Sequence, residues 1–244
     1  MINDFFDIGL KIESKRDLLG LAKKGKRKMK YGETEYGPYA VWEIGKNIEL
    51  WYYGDENGLS PYAMEMYHKT PECLSVVGAE WVNMPENSND SALLNCFLVG
   101  GEIGFPLNIE IVDAFLWRKY DVPSQGEETK IDATWFAKDF TLLKKGTRVD
   151  SPDEMAAESV IPCGTFPVRN GDGNWRPSAT ALMNGTVVEA KLMTNDATNR
   201  KYWHLKVQCL GYLLSVVVAP EFVEGEIEPG DNIEGYYWIS GKFA

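Results

Sequence analysis

The sequence predicts an α+β protein in which a mainly antiparallel N-terminal sheet with a few helices precedes a small β-barrel. Three patterns indicate this class: several short segments alternate apolar and polar residues, two segments have helical spacing, and the last quarter consists of strand-like segments separated by turns. A chain of 244 residues can form two modest cores. We therefore expect an α+β domain at 1–160, a crossing segment at 161–179 and a barrel at 180–244.

At the N-terminus, residues 5–12 have a strand pattern, and Ser14 followed by Asp17 predicts the start of a helix. Six of the eight residues from 23 to 30 are basic, and a glycine among them suggests that the helix ends early. This basic stretch is interpreted either as a solvated surface or as a docking patch for an acidic partner.

The middle of the chain alternates strand and loop patterns. A β-hairpin is predicted from 39–44 and 48–53, and residues 56–72 are interpreted as a loop. Further strands are predicted at 74–82, 93–100 and 104–115. Apolar residues at helical spacing then predict an amphipathic helix over 131–145, and a second short helix is predicted at 152–159.

Four strand-like segments form the C-terminal part of the chain, and their spacing predicts a closed or nearly closed barrel of about five strands. Gly185 early in a long first strand, two adjacent strands around Gly211, and the phrase EPGDNIEG before the last strand resemble the oligonucleotide/oligosaccharide-binding fold, the OB-fold. This resemblance covers 180–244 and implies a barrel, not a substrate. The phrases IPCGTF and YYWISGKF are also similar to uncharacterised bacterial proteins in which such a barrel closes the chain.

The composition excludes several function classes. With 36 acidic and 25 basic side chains the formal net charge is −11, so most of the surface repels polyphosphate and anionic lipid, and nucleic acid is a disfavoured partner. No uncharged apolar run is long enough to span a bilayer, and the acidic N-terminus is atypical of a secretory signal. The expected location is therefore the cytoplasm.

The metal-binding residue types are too scattered to predict a metal centre. The four cysteines lie far apart without a C-x-x-C motif, and His68 and His204 are the only histidines. We interpret the cysteines as reduced, mostly packed thiols, and we expect neither a metal nor a cofactor.

Aromatic residues near the C-terminus are the candidate binding residues. Strand alternation places Tyr237 on one face of the last strand and Tyr236 and Trp238 on the other. By the same rule, Tyr202 and His204 point away from the barrel core. If the two outward rows are neighbours, these four residues form a face on which a base or a sugar can stack. The same rows could instead pack against the N-terminal domain.

No motif for a serine nucleophile, a phosphate-binding loop or a zinc protease occurs in the chain. The leading hypothesis is therefore a non-enzymatic cytoplasmic protein that recognises a protein or a small neutral ligand through Tyr202, His204, Tyr236 and Trp238. One alternative is a hydrolase in which carboxylates and His68 meet in an interdomain cleft near Glu80. A second alternative is an OB-type nucleic-acid binder that uses the basic stretch at 23–30.

Overall fold

The computed structural model describes residues 8–10, 12–55, 57–82, 90–117, 127–145, 158–165 and 177–244. Strands dominate this part of the chain. Its helices are α1 (Lys15–Gly25), α2 (Ala114–Trp117) and a 3-10 turn at Pro220–Phe222. The strands are β1 (Lys30–Thr34), β2 (Gly37–Glu43), β3 (Ile48–Asp55), β4 (Gly58–His68), β5 (Cys73–Trp81), β6 (Ala92–Val99), β7 (Phe105–Ile111), β8 (Thr129–Leu143), β9 (Ser159–Pro162), β10 (Thr180–Asn195), β11 (Arg200–Cys209), β12 (Tyr212–Val218) and β13 (Asn232–Phe243).

Helix α1 begins where the sequence predicts. The Ser14 side chain accepts a hydrogen bond from the Asp17 backbone N–H at 3.3 Å, and the Asp17 carboxylate accepts one from the Glu13 N–H at 3.1 Å. This reciprocal cap satisfies N–H groups that the helix leaves free. The strand predicted at 5–12 is wrong for its described residues, because 8–10 and 12 lie outside both sheets. The Ile8 carbonyl instead accepts a hydrogen bond from the Asn195 amide at 2.8 Å.

A four-stranded antiparallel sheet has the order β1-β2-β3-β4. The predicted hairpin is confirmed, with Tyr39 opposite Tyr53 across β2 and β3. The loop predicted at 56–72 is wrong, because most of it forms β4 and pairs with β3. The segment contains residues that are typical of turns, and these outweigh the strand pattern in which every second residue, Met64, Met66 and His68, is buried.

The helix predicted at 131–145 is also wrong, because this segment lies in the 15-residue strand β8. Every residue from 131 to 137 is buried. A strand covered on both faces has no polar alternation, so its sequence does not show the two-residue period of a half-exposed strand. For the short helix predicted at 152–159, residues 152–157 lie outside the described part, and Ser159 begins strand β9.

The other nine strands form one sheet in the order β11-β12-β8-β5-β6-β7-β13-β10-β9, with further pairings of β11 with β10 and of β8 with β13. These pairings close two cycles. One cycle contains β8, β13, β10, β11 and β12, and the other contains β8, β5, β6, β7 and β13. Both cycles share the antiparallel pair β8–β13, which we call the shared ribbon. Strand β5 pairs with β8 at 129–132, whereas β12 pairs with it at 134–136.

One face of the shared ribbon contributes to a large apolar core that includes Trp135, Tyr237 and Ile239. The other face carries Phe136 and Trp238, which join a second core beneath α1 and the four-stranded sheet. The structure thus supports a β-rich fold built on two sheets. The nine-stranded sheet takes strands from both 1–160 and 180–244, and only part of the segment 161–179 is described.

Candidate functional site

The alternation predicted for β11 is observed, with Leu205 and Val207 in the large core. On the opposite face, Tyr202 is 2% exposed and His204 is 9% exposed. Tyr202 belongs to the core beneath the four-stranded sheet. Neither residue presents an accessible ring in this structure.

Tyr236 and Trp238 are partly buried on β13. The Trp238 ring lies 4.9 Å from the Phe136 ring, centroid to centroid, and its indole N–H donates to the Glu110 carboxylate at 2.7 Å. The Lys138 ammonium lies 5.2 Å from the centroid of the same indole. Protein groups therefore occupy several of the contacts that a stacked ligand would use.

The two predicted rows are not neighbours. Strand β10 pairs through Met193 and Lys191 with Tyr202 and His204, but it pairs through Leu182 and Thr180 with Tyr236 and Trp238. The two rows therefore lie near opposite ends of β10. A binding role for the four residues remains a prediction. Tyr202 and Trp238 both contribute to the second core, but the two rows do not lie side by side.

Tyr202 and His204 instead meet His68 at the contact between the two sheets. The rings of His68 and His204 lie 4.7 Å apart, centroid to centroid. The Tyr202 hydroxyl lies 3.4 Å from His68 Nε2, and His204 Nε2 lies 3.0 Å from the Ser215 hydroxyl. The Thr134 hydroxyl donates to the His68 carbonyl at 2.8 Å. We call these five residues the histidine cluster.

The histidine cluster is buried, and this determines its chemistry. Desolvation lowers the pKa of His68 to about 3, with a smaller contribution from His204, and desolvation also lowers the pKa of His204. Both imidazoles are therefore neutral near neutral pH.

The contact of His204 with Ser215 has the distance of a base and a nucleophile, but Ser215 is only 2% exposed. Among the described residues, no carboxylate hydrogen-bonds to either imidazole ring. Glu80 is exposed on β5, whereas His68 is fully buried. This arrangement connects the two sheets and offers a substrate no access. Nor do the described residues contain a group of three or more His, Cys, Asp or Glu side chains placed to hold a metal ion.

An open site lies elsewhere, between α1 and the four-stranded sheet. A pocket of about 300 Å³ is lined by nine residues, which places it at the small end of ligand sites. We call it the α1 pocket. Its apolar wall consists of Leu19, Ala22, Met29, Leu59 and Pro61.

The four other lining residues carry polar atoms. Lys23, Lys26 and Tyr31 are exposed, whereas Tyr52 of β3 is fully buried. The Tyr52 hydroxyl has no hydrogen-bond partner among the described residues. Burial raises its pKa, so the group stays a neutral hydroxyl. An unpaired buried hydroxyl is destabilising by about 1–3 kcal/mol.

Sequence reasoning did not identify the α1 pocket, although parts of its signal are visible. Ala22 lies in the predicted helix, and Lys23 and Lys26 lie in the basic stretch. Leu59 and Pro61 were missed because β4 was interpreted as a loop. The pocket also depends on the angle between α1 and β4, which is a tertiary property that no local pattern encodes.

Comparison of the chain with protein-family models, with curated proteins and with solved structures found no match. Within the described residues, no helix combines the length and the apolar character needed to cross a bilayer.

Proposed function

We propose that this protein is a non-catalytic binding protein that receives a small, mainly apolar ligand in the α1 pocket. The observation that carries the proposal is an apolar pocket of about 300 Å³ between α1 and the four-stranded sheet, with a few polar side chains among its lining residues. Pockets of this kind bury apolar ligand surface and use a few polar groups to orient the ligand.

The histidine cluster supports the non-catalytic part of the proposal. A hydrolase needs a nucleophile or an activated water at a position that a substrate reaches. His68 and His204 are buried between the sheets, so the hydrolase alternative has the weaker support. The aromatic face on Tyr202, His204, Tyr236 and Trp238 also has weaker support than the α1 pocket, because two of its members are buried and the rows are separated.

The test uses 1-octanol, a neutral ligand with an apolar chain and one hydroxyl. Titration calorimetry of the full chain is expected to show saturable binding, and amide shifts in NMR spectra are expected to centre on α1 and β4. Ala22→Trp places a large ring in the pocket, because Ala22 lines it, and should abolish the binding. Unchanged binding by this variant would overturn the proposal.

A matched control is available on the same helix. A Cβ added at Gly20 meets no atom within 4 Å, so Gly20→Trp places the same ring in solvent and should retain 1-octanol binding. Amide shifts centred on Tyr236 and Trp238 instead of α1 would support the aromatic face and contradict the pocket.

For the fold, we propose that the nine-stranded sheet contains two OB-like five-stranded barrels that share the β8–β13 ribbon. The two five-membered cycles of strand pairing support this description. Slow amide exchange along both strands of the ribbon would agree with closed barrels, and rapid exchange there would contradict them.

We also propose a cytoplasmic location, because Cys73, Cys96, Cys163 and Cys209 are all free thiols.

A further inference from the structure

The entrance of the α1 pocket carries two cationic side chains. Lys23 and Lys26 both line the pocket and are exposed. Neither ammonium group forms an ion pair with a described residue, in contrast to Lys30 of the same stretch, which pairs with Glu43 at 2.5 Å. Lys24 donates a hydrogen bond to the Ala197 carbonyl. The two lysines that border the pocket are thus unpaired within the described part of the chain, and their charge is available to a ligand.

These charges stand out against the rest of the protein. The chain has a formal net charge of −11, so most of its surface repels an anion, whereas the pocket entrance attracts one. The C-terminal end of α1, which ends at Gly25, carries partial negative charge and offsets part of this attraction. Two full positive charges exceed that partial charge of roughly half a unit.

The pocket therefore combines a cationic entrance with an apolar interior. Leu19, Ala22, Met29 and Leu59 supply the interior, and the Tyr31 ring stands at the entrance, where its hydroxyl donates to the Lys26 carbonyl at 2.9 Å. An apolar body in this interior leaves a head group beside the two ammonium groups.

From this arrangement we propose that the ligand of the α1 pocket is an amphipathic anion: a single apolar chain or ring system that bears one carboxylate or another acidic head group. The head group pairs with Lys23 and Lys26, and the body lies against α1 and β4. This inference rests on the proposed function, since it specifies the ligand class of the same pocket.

The experiment compares three ligands of equal chain length, namely octanoate, 1-octanol and octyltrimethylammonium, by calorimetry at low salt. Two exposed charge contacts should favour octanoate over 1-octanol by roughly two- to thirty-fold in Kd. The trimethylammonium ligand should bind more weakly than 1-octanol. High salt should remove most of the preference.

The double variant Lys23→Gln/Lys26→Gln should lose the preference for octanoate and keep the affinity for 1-octanol. The matched control is Arg27→Gln/Lys28→Gln, which removes the same charge from exposed residues of the same stretch that do not line the pocket, and it should retain most of the preference. An equal loss in both variants would show a diffuse field effect and overturn the assignment to Lys23 and Lys26.

The outcomes separate this inference from the proposed function. If 1-octanol binds and octanoate binds no more tightly, the pocket function stands and the anionic ligand class is wrong. If none of the three ligands binds, the proposed function itself fails. If octanoate is preferred and Ala22→Trp abolishes its binding, both are supported.

Discussion

The two sheets differ in how completely they are enclosed. In the nine-stranded sheet the pairings return to their starting strands, and the enclosed core includes fully buried side chains such as Trp135 and Tyr237. Within the described residues, the four-stranded sheet does not close on itself, and α1 covers it incompletely, which leaves the α1 pocket. This comparison shows how one chain can combine a closely packed core with an open pocket.

The largest expected effect on stability comes from a large-to-small substitution in the core of the nine-stranded sheet. Trp135 is fully buried on the shared ribbon and packs edge-on against Tyr237. Trp135→Ala should lower the free energy of unfolding by about 3–5 kcal/mol, because it removes buried apolar surface and leaves a cavity. Urea denaturation measures this change. Phe97→Ala, at a residue 43% exposed on β6, should cost far less, and equal losses would contradict the description of a filled core.

The incompletely covered sheet can be probed at the glycines of α1. A Cβ at Gly25 would lie 2.3 Å from the Trp42 ring, so Gly25→Ala must move the helix or the ring and should destabilise the protein by about 1–3 kcal/mol. Gly20→Ala should instead stabilise it by about 0.5–1 kcal/mol, because the exposed helix gains propensity without a clash. Thermal unfolding with opposite shifts in Tm would confirm the contrast, and shifts of the same sign would contradict it.

Because His68 is buried at the contact between the two sheets, the free energy of unfolding should decrease at acidic pH. The pKa of His68 is lowered from 6.5 to about 3 by burial, so below pH 6.5 the unfolded chain binds a proton that the folded chain does not. The stabilisation is complete above pH 6.5 and is lost as the pH falls, by roughly 1 kcal/mol per pH unit. His68→Asn removes this proton site and should flatten the dependence of unfolding free energy on pH.

Asp132 provides a control, because its contribution to the unfolding free energy should change with pH in the direction opposite to that of His68. Burial raises its pKa to about 6, so the folded chain binds a proton more tightly there than the unfolded chain does, and acidification from pH 6 stabilises the fold. Asp132→Asn should therefore make the acid loss steeper. Parallel pH profiles for wild type and His68→Asn would show that His68 does not couple the sheets to pH.

A small effect is also expected at the start of α1. Ser14→Ala removes the hydroxyl that accepts from the Asp17 N–H and should cost about 1 kcal/mol of unfolding free energy. Because α1 forms one wall of the α1 pocket, the same variant should also weaken 1-octanol binding. Ser14→Asp, which retains a capping oxygen, should restore both properties; failure to restore them would separate the cap from the pocket.

These contrasts also explain which elements the sequence predicts. Helix α1 and the β2–β3 hairpin are determined by local chemistry, namely the Ser14 and Asp17 cap and the turn at 45–47, and both are confirmed. The sequence of strand β8 predicts a helix instead, because both faces of the strand are buried and it lacks polar alternation. The sequence also predicts the alternation of inward and outward side chains along β11. It does not predict that Tyr202 and His204 are buried, because they pack against the four-stranded sheet, which is distant in sequence.

The candidate site is harder to predict for the same reason. The charges of Lys23 and Lys26 are readable from the sequence, but their position over an apolar cavity depends on how α1 lies across β3 and β4. The Tyr52 hydroxyl is unpartnered only in the tertiary structure. Residue types therefore indicate the chemistry of the site, and only the fold indicates its location.

The shared ribbon has a consequence for co-translational folding of the protein. Strand β13 follows every other strand in the chain, yet it is a member of both cycles of strand pairing. Strands β7 and β8 are synthesised earlier and must wait for this partner, which lies about a hundred residues downstream. Contacts of such sequence separation slow folding and prolong the exposure of unpaired strand edges. Nascent chains stalled before β13 should therefore remain sensitive to protease, and resistance should appear only after β13 has left the exit tunnel.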